Sequence, residues 1–443
     1  MILFSEIGLL MNKLILLFLI TSLIAFNAYA SGNIAPKISS GEIFCKQYQT
    51  IPEFSSERYS WVEHGSILRF PSPLFGFSEI ELGETICYLE NQKLKKIIVS
   101  IYNRGDCGEI SDKAFEEKLR IVFNVVHNTL NGEAQRANRK SDTSRSTYDI
   151  GGMLFKNDHV QVLVEYSVKN IGAKTVPAAE YIRMTIMPIK ILDEKKSIRN
   201  LERKKPLRDN VIALSDGGKV ISGIPMVDQG QKGYCAAATV ARVMGYYGYE
   251  QLDQHQIAQW AKTDSSKGTS IDEMMNGIRR VLHDTYKLNI MEFEKMETKD
   301  FFKLVERYNV EAKKQSKQTI ELLGLGVIDV GMIYHFFDPI ILKTVQIKNK
   351  QKNDIFFNRI KAQIDKGVPL VWSVQLGIFP EQGLPQSRGG HMRLIIGYGG
   401  RTVNDRYIMF SDSWGAGHEQ KKMPLDEAIT ITTGLLVIAP RLN

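Results

Sequence analysis

Alternation of apolar and polar positions marks the first half of the chain as strand-rich. "SEIELGETICYL" and "KKIIVSIYN" carry the period of half-buried strands, with a polar turn around Asn91 between them. "QVLVEYSV" and "EYIRMTIMPI" read as two further strands. "DKAFEEKLRIVFNVVHNTLNG" instead spaces its apolar residues as a helix does and predicts one long helix stopped at Gly132. A small α+β domain with a sheet and one long helix is therefore expected over residues 31–189.

The second half places its helices first and its strands later. "AAATVARVMGYY" suits a helix with a buried small-residue face, ended by Gly248. "GTSIDEMMNGIRRVLHDTYKL" predicts a helix capped by Thr269 or Ser270, with Glu273 three residues after Ser270. "KDFFKLVERYNVEAKK" and "DIFFNRIKAQIDKG" add two more helices. "VPLVWSVQL" reads as a buried strand, and "HMRLIIGYGG" and "RYIMFSD" as two strands around the turn "GGRTVND". A second α+β domain over 211–443 follows. The charge run "KILDEKKSIRNLERKKPLR" falls between the halves, so residues 190–210 are expected to be a solvated inter-domain linker or an exposed helix.

The N-terminus breaks both patterns. Lys13 precedes the short apolar run "LILLFLITSLIAF", which ends in "NAYA". That order predicts a secretory signal peptide over residues 1–30, with Met11 as an alternative start. The run is too short for a comfortable membrane span, and no later segment is continuously apolar over a spanning length. The mature chain is thus expected to lack a transmembrane domain and to be exported, periplasmic or extracellular.

Composition adds limits. The 443 residues are 43% hydrophobic and 24% charged, which excludes disordered and fibrous classes. The net charge of +8 is scattered along the chain, so a solvated basic surface is expected and nucleic acid is not an expected partner. An oxidising compartment predicts one disulfide among Cys45, Cys87 and Cys107. There is no C-x-x-C, and His418-Glu419 lacks the second histidine of H-E-x-x-H, so no zinc site is expected. "GLGVIDVG" lacks G-x-G-x-x-G spacing, so no dinucleotide is expected either. No cofactor is implied.

The remaining cysteine carries the chemistry. Cys235 opens the Ala-rich helix directly after the Gly-rich run "QGQKGY". A helix N-terminus stabilises an anion and lowers a thiol's pKa, and the glycines let backbone approach a substrate. Of eight histidines, His391 is best placed as a base, where the loop "GIFPEQGLPQSRGG" enters an apolar strand. With the hairpin centred between Arg401 and Thr402, His391 falls directly opposite Asp412, the orienting carboxylate. Acyl transfer also needs oxyanion donors, and Gln229 with the Cys235 N–H supplies them, with Gln231 as the competing side chain.

"QGQKGYC", "GGHMRLIIGYGG" and "SDSWG" together resemble the three signature regions of papain-like cysteine peptidases. "DSWG", Asp412 to Gly415, is similar to papain's Asn-Ser-Trp-Gly, with Asp for Asn. That exchange looks like the bacteriocin-processing, double-glycine-leader peptidases and their stand-alone relatives. The resemblance covers about Val211 to Pro440 and not the N-terminal half. It implies a papain-like fold, Cys235 as nucleophile, His391 as base and acid, Asp412 as orienter, Gln229 as oxyanion donor, and Trp414 shielding the His–Asp bond. The chain departs from transporter-fused members in having no G-x-x-x-x-G-K-[ST] loop and no membrane bundle. The long spacing between Cys235 and His391 suggests an insertion over the cleft, about Glu297 to Lys350. The implied activity is peptide-bond hydrolysis on a peptide or protein substrate. Transglutaminase-like or amidase acyl transfer, and a silent peptide-binding module, are the alternatives.

Overall fold

The computed structural model describes residues 35–71, 73–74, 80–137, 148–172, 174–189, 206–249, 252–263, 269, 271–321, 333–386 and 388–441. The expected signal peptide, nearly all of the expected linker and Ser270 lie outside these residues.

The N-terminal strands are β1 (Ser60–Glu63), β2 (Ile67–Phe70), β3 (Thr85–Glu90), β4 (Lys93–Asn103), β5 (Glu133–Arg136), β6 (Tyr148–Lys156), β7 (Val160–Ile171) and β8 (Lys174–Pro188). They form one sheet in the order β1-β2-β3-β4-β8-β7-β6-β5. Asn91 and Gln92 both have positive φ, 51° and 63°, as a two-residue hairpin turn requires. Helix α1 (Asp112–Leu130) lays Phe115, Leu119, Val122, Val126 and Leu130 into the core on one sheet face. It stops at Leu130, two residues before Gly132, because Asn131 takes the left-handed cap at φ 47°. Gly132 has a separate reason to be glycine: a Cβ there would stand 1.8 Å from the Lys156 carbonyl oxygen.

Alternation along β8 divides its residues between two environments. Ile182, Met184 and Ile186 enter the apolar core, whereas Tyr181 and Arg183 face His255 and Asp253 at the start of the helix Gln254–Ala261. Contrary to the disulfide expectation, Cys45, Cys87 and Cys107 are all unpaired. Cys87 is buried on β3, away from the exposed Cys45 and Cys107, and burial pushes its thiol up.

The C-terminal sheet comprises β9 (Val211–Ala213), β10 (Lys219–Ile221), β11 (Leu288–Lys295), β12 (Leu370–Leu376), β13 (Gly389–Gly399), β14 (Tyr407–Ser411), β15 (Lys421–Pro424) and β16 (Thr432–Pro440). Its main path is β11-β16-β12-β13-β10-β9, with β14 joining β13 to β15. Helices α2 (Cys235–Tyr246), α3 (Gln254–Ala261) and α4 (Ile271–Asp284) share one core with Val371, Leu394, Ile396 and Leu436. Helices α5 (Thr298–Lys314), α6 (Pro339–Gln346), α7 (Lys350–Ile364) and α8 (Leu425–Ile431) share another with Leu370, Trp372, Ile395 and Leu435. The sheet is thus sandwiched between helices, and its strands are apolar on both faces.

One expectation changes here. The described part of Glu297–Lys350 is core-forming: Phe301, Tyr308, Phe337 and Ile341 are buried in that second cluster. The Thr269 hydroxyl donates to Thr263, and Ser270, the residue directly before α4, lies outside the described residues. Among the described residues, no helix is long and apolar enough to cross a membrane.

Candidate functional site

Cys235 is the first residue of α2, and Tyr234 occupies the N-cap without a side-chain cap bond. The unpaired amides of that first turn face the thiol, which is partly exposed. His391 lies near the start of β13 and is 3% exposed, and Asp412 follows the last residue of β14 and is fully buried. His391 Nε2 and Asp412 Oδ1 are 3.0 Å apart. Trp414 stacks on the imidazole with ring centroids 4.2 Å apart and planes 6° apart, covering the pair from water.

With Nε2 engaged, Nδ1 is the nitrogen left for the thiol. It has no other hydrogen-bond partner among the described residues. The Cys235 thiol interacts with the His391 ring and with the Met392 backbone. Burial alone would raise the thiol's pKa, but His391 and these backbone contacts outweigh it and hold it below the ordinary value. Burial would likewise lower the imidazole, but Asp412 and Cys235 hold it above its ordinary value. Both shifts favour a thiolate beside an imidazolium.

The hairpin register differs from the sequence expectation. Leu394 pairs with Ser411 and Gly399 with Tyr407, with an irregularity between Ile395 and Gly397. Continued by one residue, this register puts Asp412 opposite Arg393 rather than His391. The shift is two residues, and side chains alternate with a period of two, so His391 and Arg393 share a face that Asp412 reaches.

Arg393 is the group that sequence reasoning missed. Its side chain is fully buried; Nε donates to Asp412 Oδ1 at 2.8 Å, and its other nitrogens pair with both oxygens of Glu381 at 3.1 and 2.9 Å. Arg242, on α2 and also buried, donates to the Asp412 carbonyl at 2.8 Å. Burial would raise the Asp412 carboxyl, but His391, Arg393 and Lys421 outweigh it and hold it below the usual carboxylate range. An arginine inside the apolar strand "HMRLIIGY" was the available signal.

Gln229 is 4% exposed, whereas the competing Gln231 is exposed. The Gln229 N–H donates to Ser413 O at 2.8 Å, and Asp228 bridges to Trp414, so the loop before Cys235 is stitched to the Asp412 segment. The side-chain amide of Gln229 donates to Lys232 O at 3.4 Å, and its oxygen is buried without a partner among the described residues. The arrangement is chemically able to form a thiolate and to shuttle a proton through one imidazole. Among the described residues, no cluster of His, Cys, Asp or Glu is arranged to hold a metal ion.

No curated protein matches the chain. Residues 221–431, a little under half of it, match the model described as the Peptidase_C39 like family. This segment holds Gln229, Cys235, His391 and Asp412, and its similarity supports a relationship to the papain-like cysteine peptidase clan.

Proposed function

We propose that the chain is an exported cysteine peptidase that hydrolyses peptide bonds through Cys235, His391 and Asp412. The observation that carries this reading is the buried His391 contact with Asp412 at 3.0 Å, which leaves Nδ1 to the thiol at a helix N-terminus. The Cys235 thiolate attacks the peptide carbonyl, forming a C–S bond while the π pair moves to oxygen. Gln229 and the Cys235 N–H stabilise that oxyanion. The imidazolium Nδ1–H is passed to the leaving nitrogen as the C–N bond breaks, giving an amine and an acyl-enzyme. Water, losing a proton to Nδ1, then releases the acid and restores the pair. Asp412 fixes the ring and Trp414 keeps water off its Nε2 side. The short apolar run after Lys13, read as a signal peptide, supports a site of action outside the cytoplasm, with peptides or proteins as substrates. The Asp at 412 fits a relative of the double-glycine-leader peptidases.

The test uses a Cys45→Ser/Cys107→Ser background, since both of those thiols are exposed. Iodoacetamide at about pH 6 should alkylate Cys235, where an ordinary thiol of pKa about 8.5 reacts slowly. His391→Ala should abolish that acid-range labelling, and Cys235→Ala should abolish peptide hydrolysis. A Cys235→Ala protein with full activity would remove the proposal.

A further inference from the structure

The loop that leads into Cys235 is held from outside its own sheet. Asp228 Oδ2 lies 3.2 Å from a guanidinium nitrogen of Arg69 on β2. Lys232, its side chain fully buried, stands 3.0 Å from Asp106 Oδ2 and 3.7 Å from Glu84 Oε1. Tyr234 donates its hydroxyl to Glu180 Oε1 on β8 at 3.1 Å. These partners are themselves fixed: Arg69 pairs with Glu84 at 2.6 Å and Arg104 with Glu180 at 2.8 Å. The backbones fit as closely. A Cβ on Gly105 would stand 2.6 Å from the Tyr234 ring, and one on Gly230 would stand 2.7 Å from Arg69. The Asp412 segment is tied to the same sheet, because the Ala416 N–H donates to Trp61 O at 2.9 Å.

A buried lysine is costly without partners, and packing alone would favour an apolar side chain there. What directional ion pairs add is a defined position. This loop needs one, because Gly230 and Gly233 leave it little stiffness of its own and Gln229 must aim at an atom formed only during reaction. We propose that Arg69, Glu84, Asp106 and Glu180 are positioning residues for the Cys235 site. Through Asp228, Lys232 and Tyr234 they hold the loop that carries the Gln229 oxyanion donor. The N-terminal sheet is then an integral part of the site. The inference rests on Cys235 as nucleophile and Gln229 as donor.

Two probes separate thiol activation from oxyanion binding. Iodoacetamide needs only the thiolate. A peptide aldehyde gains a C–S bond from Cys235, and its oxygen takes the imidazolium proton, so the resulting thiohemiacetal oxygen occupies the oxyanion position. In the Cys45→Ser/Cys107→Ser background, Glu84→Gln/Asp106→Asn should weaken aldehyde inhibition about tenfold or more while alkylation stays within about twofold. Lys232→Arg, which keeps the charge, should retain both. Glu180→Gln is the second variant if the double variant fails to fold, and should show the same split more weakly. Unchanged aldehyde affinity overturns the inference, as does a parallel fall in both probes, which marks a structural role only. A wild-type protein that does not alkylate at about pH 6 overturns the peptidase reading instead.

Discussion

Arg393→Met is the sharpest test of the charge arrangement behind the histidine. The guanidinium bridges two carboxylates, Asp412 at 2.8 Å and Glu381 at 3.1 and 2.9 Å. It also lies over the Phe410 ring at 4.5 Å, so an unbranched methionine retains much of the apolar packing and the loss is mainly electrostatic. Removing one partner of a buried pair costs about 3–5 kcal/mol, because the remaining charge is left uncompensated. The cost should depend on pH, with a sign fixed by Asp412. In the native chain this carboxyl is held below its ordinary value. Its contribution to stability is therefore present above the unfolded pKa of about 3.9 and is lost as pH falls through the lower folded value. Without Arg393 a larger share of the burial penalty goes unopposed, the carboxyl rises, and mild acid neutralises the stranded charge. The deficit should be largest near neutrality and shrink as the pH approaches about 4. Urea unfolding followed by tryptophan fluorescence at both pH values measures it. A difference below about 1 kcal/mol, or one that ignores pH, would refute the reasoning.

Other expectations concern the same site. Trp414→Ala should lower stability by about 3–5 kcal/mol and depress hydrolysis, whereas Trp414→Phe keeps a ring over His391 and should lose much less, as unfolding and turnover measurements will show. The rate of Cys235 alkylation against pH should rise with a midpoint below that of a free thiol and shift upward in His391→Ala, where burial acts without its counterweight; an unshifted profile would contradict the ion pair. Gly105→Ala puts a methyl against the Tyr234 ring, and should weaken peptide-aldehyde inhibition although it lies in the short helix Arg104–Cys107 that follows β4 of the other sheet. Full aldehyde affinity in a folded Gly105→Ala protein would count against the close fit seen there.

Much of this was legible because local signals suffice for local facts. The β3–β4 hairpin, α1, the helix opened by Cys235 and the strands holding His391 and preceding Asp412 each follow from periodicity and turn residues over a dozen positions. The residues of the candidate site were legible for a different reason: a thiol at a helix start and the "SDSWG" segment are compact patterns. Register was not legible, since the turn is not centred where its glycines suggest and the irregularity between Ile395 and Gly397 leaves no sequence mark. The buried ion pairs of Arg393 and Lys232 were hidden for a stronger reason. Their partners are many residues away or on another sheet, and a lone basic residue in a sequence reads as a solvated one. The free state of Cys45, Cys87 and Cys107 likewise depends on where three distant backbones lie, which no spacing rule supplies.

The two arms of the site, the loop before Cys235 and the segment after Asp412, hang from a common support and are also bonded to each other through Gln229 and Ser413. When such a frame breathes, both arms travel together. Displacements common to Cys235 and His391 leave their separation unchanged, and only differential motion would alter it. A force applied to either wall would therefore shift the whole assembly before it pulled the thiol away from the imidazole.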